Sequence, residues 1–306
     1  MAKFLVTQAT GQQSQAVIRH LLATGARIHA VVRDPSNVPA VLKDPGVTIF
    51  KGESVNFNEI RKAADGCRGA FLNTYAKPGV ELPQAKTIVE ACQKSGIQSV
   101  VASTAFCTGN QELWNDEVTK EIGLWNYYQS KFEVEEIVRK GNFSHYTILR
   151  PGFIHLDYLQ PAVQGNYSEL LVTAELVHAF DHGVAVPHTD ADDIGRYTAA
   201  ALLDPERFSG AEIDFCAQSL SVHEVRDILV RVSGREVRVR KRSAEEIDAA
   251  KGVLFVQAWH LWANAKDFGF ILAAGAKAQK VFGIPFTNLE EALQRDRDRL
   301  RATIPA

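Results

Sequence analysis

Phe4-Leu-Val-Thr-Gln-Ala-Thr-Gly-Gln-Gln-Ser14 decides how the rest of this chain is read. It opens on a short apolar run, Phe4, Leu5 and Val6, and passes through a small polar turn built on Thr10 and Gly11. Val17, Ile18, Leu21 and Leu22 follow at helical spacing. Strand, turn and helix in that order bring the N-terminus of a helix to the carboxyl end of a buried strand. Unpartnered backbone N–H groups and the positive end of the helix dipole meet there, which suits a phosphate. The dinucleotide fingerprint wants glycine at the positions of Gln8, Gly11 and Ser14, and only Gly11 is present. Gly11 is the middle one, where the backbone must approach a pyrophosphate. Ser14 is small enough for close helix–strand packing. Gln8 is the departure, because the tight turn there favours a residue free of Cβ crowding.

The pattern repeats outward. Strands are predicted at Arg27–Val32, Val47–Phe50, Gly69–Asn73, Gln98–Ala102 and Tyr146–Leu149. Helices are predicted at Asn56–Ala64, at Pro83–Ser95 with Gly96 as its cap, and over about Leu124–Arg139. This alternation predicts an α/β fold, a Rossmann-type doubly wound parallel sheet with helices on both faces. Ligands then sit at the carboxyl ends of the strands. After Phe153 the rhythm changes. Residues 154–182 are irregular, strands are expected at Gly183–Pro187, Glu212–Cys216 and Val237–Arg240, and a helix at Ala191–Leu203. Ser221 and Glu224 have capping-box spacing at the head of a helix running to Val232, and most of 254–301 is helical. The expected division is 1–153 as a nucleotide-binding domain and 154–306 as a smaller mixed α/β lobe, with about 183–217 returning to the large sheet.

With 46% of 306 residues hydrophobic, the chain can bury one large core plus a lobe. A net charge of −2 offers no basic field to nucleic acid or to a membrane surface. Met1-Ala2-Lys3 leads straight into a strand, and no apolar run approaches the roughly 20 residues of a membrane span. Cys67, Cys92, Cys107 and Cys216 are scattered without a metal or disulfide pattern and read as reduced thiols of a cytoplasmic protein. His178 and His182 stand four apart with no third ligand, so no metal is expected. Asp190, Asp192 and Asp193 are read as helix-capping acids, and His155 as the histidine to watch near a substrate. Phe255, Trp259 and Trp262 form one apolar helix face, either core or the lining of a cleft.

By these residues the chain resembles the NmrA-like family of atypical short-chain dehydrogenases/reductases. The matching stretches are Thr7-Gln-Ala-Thr-Gly11, Val31-Val-Arg-Asp-Pro-Ser36, Phe71-Leu-Asn-Thr74, Lys131-Phe-Glu-Val-Glu135 and Leu149-Arg-Pro-Gly-Phe153. Asp190-Ala-Asp-Asp-Ile-Gly195 and Phe282-Gly-Ile-Pro-Phe-Thr-Asn-Leu-Glu-Glu291 continue them in order. The resemblance implies an NAD(P)-binding domain, a small C-terminal lobe and a cleft between them. It also implies a divided function, since some members reduce quinones or other small molecules and others are redox sensors that bind a protein partner.

Arg33 follows the second strand, where an acid would select NAD; its guanidinium suits the 2′-phosphate of NADP(H), with NAD(H) still possible. Asp34 beside it complicates that reading. Thr7, Thr10, Gly11, Gln12 and Gln13 are placed at the pyrophosphate, and Glu53 and Ser54 near the adenine. Asn73, Thr74 and Tyr75 are placed toward the inner ribose and nicotinamide, and Pro151, Gly152 and Phe153 in the loop beneath the nicotinamide. Tyr127 and Lys131 lie one helical turn apart on one face. A tyrosine there can give a proton to a reduced carbonyl, and a neighbouring ammonium lowers its pKa and can bond the cofactor ribose. Ser103 or Thr104 would polarise the carbonyl. The leading expectation is an NADPH-dependent reductase of a small carbonyl, quinone or conjugated acceptor, as a monomer or homodimer. The alternative is an NADP(H)-sensing regulator that binds a protein partner without turnover.

Overall fold

A computed structural model describes residues 1–306. In chain order the strands are β1 (Lys3–Val6), β2 (Arg27–Val32), β3 (Val47–Lys51), β4 (Gly69–Leu72), β5 (Ser99–Ser103), β6 (His145–Pro151), β7 (Phe153–Ile154), β8 (Glu175–His178), β9 (Ala185–Thr189), β10 (Ala211–Phe215), β11 (Gln218–Ser221) and β12 (Arg238–Lys241). The helices are α1 (Gln12–Ala23), α2 (Phe57–Ala64), α3 (Glu81–Lys94), α4 (Gln111–Trp114), α5 (Glu117–Ile122), α6 (Trp125–Arg139), α7 (Val163–Asn166), α8 (Ser168–Val172), α9 (Ala191–Leu203), α10 (Val222–Ser233), α11 (Ala244–Ala250), α12 (Phe255–Ala265), α13 (Gly269–Phe282), α14 (Leu289–Arg295) and α15 (Arg297–Thr303).

Two compact units share these elements. The first comprises Met1–Gly109, Tyr127–Arg150 and Ala191–Ile213, the second Asn110–Asn126, Pro151–Asp190 and Asp214–Ala306. A seven-stranded sheet in the order β10-β6-β5-β4-β1-β2-β3 organises the first. β1 pairs in parallel with both β2 and β4, and parallel pairing continues through β3 on one side and through β5 and β6 on the other. The chain winds outward from β1 to β3, then crosses back to β4. That reversal between β1 and β4 is the switch point at which a doubly wound sheet opens a crevice for a ligand. The central strands β1, β4 and β5 are short, mostly apolar runs buried on both faces, as parallel strands under two layers of helix must be. Leu5, Ala70, Leu72, Val100 and Ile148 of the sheet pack with Ile60, Ile88, Val89 and Val134 of α2, α3 and α6 into one core. On the other face, α9 lies close against α1. A Cβ on Gly195 would stand 2.7 Å from the backbone of Ala16, so only glycine allows this approach.

The second unit holds two small sheets, β11-β9-β7 and β12-β8. Residues 183–217 thus divide between sheets, with β9 in the small one and β10 at the edge of the large one. The predicted capping box is present at α10, where Ser221 and Glu224 satisfy each other's backbone N–H. Trp259 and Trp262 are core, with the Trp262 indole donating to Thr119 Oγ1 at 2.9 Å, while Phe255 on the same helix is half exposed. No helix is long and apolar enough to cross a membrane.

Candidate functional site

The turn between β1 and α1 is built by local constraint. Gln8 adopts φ +48°, the left-handed conformation a glycine would take there at no cost. Its carbonyl accepts the Gly11 N–H at 2.8 Å, which closes the turn. The missing first glycine is therefore replaced in conformation, at about 1–2 kcal/mol for a residue with a Cβ. Gly11 is the N-cap of α1, in extended backbone with φ −67° and ψ 146°. No side chain caps the helix, and its first turn carries no acid. The positive end of this helix is thus left for an outside anion. Ser14 is fully buried and donates from Oγ to the Thr7 carbonyl at 3.0 Å, drawing the first turn onto the end of β1.

Thr7 latches the switch point. Its hydroxyl lies 3.2 Å from the Phe71 carbonyl and 3.1 Å from the Asn73 carbonyl, and it accepts the Asn73 N–H at 3.1 Å. It ties β1 to the exit of β4 rather than offering a free side chain. Gln8 Nε2 donates to the buried Ser54 Oγ at 3.3 Å, and the Glu53 side chain is exposed. Thr10 is exposed on the same turn. Arg33 is exposed at the carboxyl end of β2. Asp34 does not compete for it: its carboxylate accepts the Ser36 hydroxyl at 2.7 Å and the Ser36 N–H at 2.9 Å, and those bonds hold its carboxyl below the usual range.

Beyond β4 the polar residues converge on a group that sequence reasoning missed. Glu81, at the start of α3, is 2% exposed and accepts from Thr74 Oγ1 at 2.7 Å, Ser130 Oγ at 2.7 Å and Lys131 Nζ at 2.6 Å. Burial works to raise the Glu81 carboxyl. The Lys131 charge, with the bonds from Lys131, Ser130 and Thr74, outweighs burial and holds it below the ordinary range. Its contribution to stability is complete above the unfolded carboxyl's pKa of about 4.3 and is lost as pH falls through the lower folded value. The Lys131 ammonium also lies 5.6 Å from the centre of the Tyr127 ring. The one signal for Glu81 was an acid shortly before Pro83, a pattern that reads as an ordinary helix start. Tyr75 is exposed, with its N–H held by Gln84 at 2.9 Å.

The two hydroxyls at the carboxyl end of β5 are both engaged within the first unit. Ser103 Oγ donates to Gln13 Oε1 at 2.9 Å, and Thr104 Oγ1 donates to Glu135 Oε1 at 2.8 Å. In the second unit, Gly152 donates its N–H to Thr189 Oγ1 at 2.9 Å, and a Cβ there would meet the Pro187 carbonyl at 2.6 Å. Phe153 is buried edge-on against Trp259 at 5.7 Å, and Pro151, two residues earlier, is buried as well. His155 lies between Asp190 at 3.2 Å and Asp296 at 3.1 Å, and Arg295 also grips Asp190. Burial, followed by the nearby His223, Lys241 and Arg242, lowers His178 to about 4, and its Nδ1 accepts the Phe180 N–H. All four cysteines are free and buried, and burial pushes Cys67 and Cys216 up to about 12.

A doubly wound sheet with an uncapped helix at its switch point defines a Rossmann-type protein. Residues 2–268 match the NmrA-like family, and the chain belongs to it. An NmrA-like family domain-containing protein of Dictyostelium discoideum is 26% identical over 247 residues, 77% of this chain and 78% of that protein. Among solved structures, an NADPH-dependent quinone oxidoreductase of Escherichia coli complexed with NADPH superposes with a TM-score of 0.73 at 19% identity. The match covers 95% of this chain and 99% of that one. NmrA, a negative transcriptional regulator, in complex with NADP gives a TM-score of 0.72 at 22% identity, covering 96% and 94%.

Proposed function

We propose that this protein binds NADP(H) at the β1–α1 turn and reduces a small acceptor, a quinone or conjugated carbonyl in preference to a simple ketone. The observation that carries the reading is the α1 N-terminus, free of any side-chain cap and of any acid, at the point where the sheet reverses. The E. coli quinone oxidoreductase and the NADP-bound regulator, which share this fold, support the same ligand class.

Thr10, Gly11, Gln12 and Gln13 would hold the pyrophosphate through the turn's backbone, and Arg33 the 2′-phosphate. Ser54 and Glu53 would flank the adenine. Asn73, Thr74 and Tyr75 would border the inner ribose, whose hydroxyls Lys131 would meet. When bound, the dinucleotide supplies a hydride. Ser103 and Thr104 each have one hydroxyl proton and donate it inside the protein, so neither is arranged to polarise a carbonyl. Glu81 offsets the Lys131 charge that would otherwise favour a Tyr127 phenolate. An acceptor whose reduced form spreads its charge over a conjugated system has the least need of these groups, and this favours quinones.

NADPH oxidation should therefore proceed with quinones in a panel of quinones and ketones. Tyr127→Phe should keep NADPH binding and quinone turnover; a loss of about 100-fold or more would assign Tyr127 as the acid. No turnover with any acceptor, alongside intact NADPH binding, would favour the second reading, a dinucleotide-sensing regulator. Arg33→Ala should weaken NADPH binding by about ten-fold or more and leave NADH nearly unchanged. Equal losses, measured by titrating both cofactors, would remove Arg33 from the 2′-phosphate.

A further inference from the structure

We propose that Glu81 is a positioning residue for the dinucleotide: gathered by Thr74, Ser130 and Lys131, its carboxylate aims the Lys131 ammonium at the ribose and offsets its charge. This rests on the proposed contact between Lys131 and the cofactor. A lysine side chain carries about 2 kcal/mol of rotamer entropy and presents a point charge on a flexible stem. Here that stem is buried and its end is fixed by a 2.6 Å bond to an acid that is itself held by two hydroxyls. One ammonium N–H is used in this bond, and two remain for outside acceptors. A ribose diol supplies acceptors at the spacing of one group.

Three elements build the arrangement. The exit of β4 brings Thr74, α3 brings Glu81, and α6 brings Ser130 and Lys131 with Tyr127 one turn before. Of these groups, Glu81 at 2.6 Å and the Tyr127 ring at 5.6 Å are the titratable ones that meet the ammonium. Without the carboxylate, Lys131 would be a buried cation lacking a counter-charge, and burial then favours its neutral form. A neutral amine donates more weakly and loses its attraction for the cofactor's phosphates. Cofactor affinity would then fall more steeply with rising pH than in the unaltered protein.

Glu81→Gln tests this: glutamine removes the charge, keeps an acceptor oxygen for Thr74 at the place of Oε1, and turns its amide N–H toward Ser130, whose hydroxyl can accept it. The first readout needs no cofactor: NMR of the full chain, labelled with ¹³C at the lysine ε-carbons, follows the Lys131 titration. Lys131 in the variant is expected to bind its proton at least about ten-fold less tightly than in the unaltered protein. The second readout is the NADPH dissociation constant at about pH 6.5 and about pH 9, across the range in which an unpaired buried lysine titrates. The variant's affinity should fall by about ten-fold more than the unaltered protein's between those two values, and Glu81→Asp should recover part of the loss. An unchanged Lys131 titration in Glu81→Gln would overturn the proposal. So would a shifted titration with NADPH affinity that still follows the unaltered protein at both pH values. If the unaltered protein took up no NADPH, the proposed function would fall and the role of Glu81 with it; a failure of Glu81 alone is distinguished because the unaltered protein then still binds.

Discussion

Glu135→Ala is expected to lower the unfolding free energy by about 3–5 kcal/mol, because it breaks a buried ion cluster from the inside. Glu135 is fully buried on α6 and accepts four bonds: from Thr104 Oγ1 at 2.8 Å, Arg150 Nε at 2.9 Å, Arg150 Nη2 at 2.7 Å and Arg139 Nη2 at 2.7 Å. Arg150 is itself buried at the end of β6, and it also pairs with Glu212 on β10. Its guanidinium packs so closely against Gly109 that a Cβ there would lie 2.6 Å from it. Removing the carboxylate leaves a buried cation half-compensated and a buried hydroxyl without its acceptor, and either loss is costly. Arg139→Ala should cost far less, about 1 kcal/mol, because Arg139 is partly exposed and Arg150 would still satisfy Glu135. Urea denaturation of both variants checks the pair. A Glu135→Ala loss below about 1 kcal/mol would mean that the cluster's desolvation cancels its attraction.

The same cluster shows what the sequence could and could not convey. The alternation of apolar runs and helical periodicity reached the large sheet directly, because strands buried on both faces must be apolar throughout. It did not reach β7, β8 or β11. β7 has two residues, β11 is the polar run Gln218-Ser-Leu-Ser221, and the central apolar pair of β8, Leu176 and Val177, is too short to show a period. α3 begins at Glu81 rather than at Pro83, since proline is accommodated within the first turn as well as at its first position. For the site, residue type located the candidates, but not the direction of their hydrogen bonds. Ser103 and Thr104 were legible as hydroxyls at a strand's end. Their acceptors, Gln13 and Glu135, lie 90 and 31 residues away, and no local pattern announces such pairings. Gln8 was legible as a break in a glycine motif. That its backbone nonetheless takes up the glycine's left-handed conformation follows from the turn that the Gly11 N–H closes.

Gly11→Asp should separate stability from ligand binding, because the two respond to that position with opposite sign. Gly11 occupies the N-cap of α1 in the extended conformation that any residue can adopt, so no left-handed strain requires a glycine there. An N-cap side chain points at the N–H groups of the second and third helical residues, and those are the groups an incoming phosphate would use. Aspartate would cap α1 itself and set a negative charge against the positive helix end, a gain of about 0.3–1 kcal/mol. Its Cβ would stand 3.1 Å from the Gln8 carbonyl, a tight contact that takes back part of this gain. The protein without cofactor should therefore melt at or slightly above the temperature of the unaltered chain. NADPH, in contrast, would meet an occupied helix end and a like charge, and its affinity should fall by about 100-fold or more, equivalent to about 2.7 kcal/mol. Thermal melts with and without NADPH measure both quantities in one experiment. A Gly11→Asp variant that NADPH still stabilised as strongly as the unaltered protein would place the phosphates somewhere other than this turn, and the roles given to Arg33 and Lys131 would fall with it.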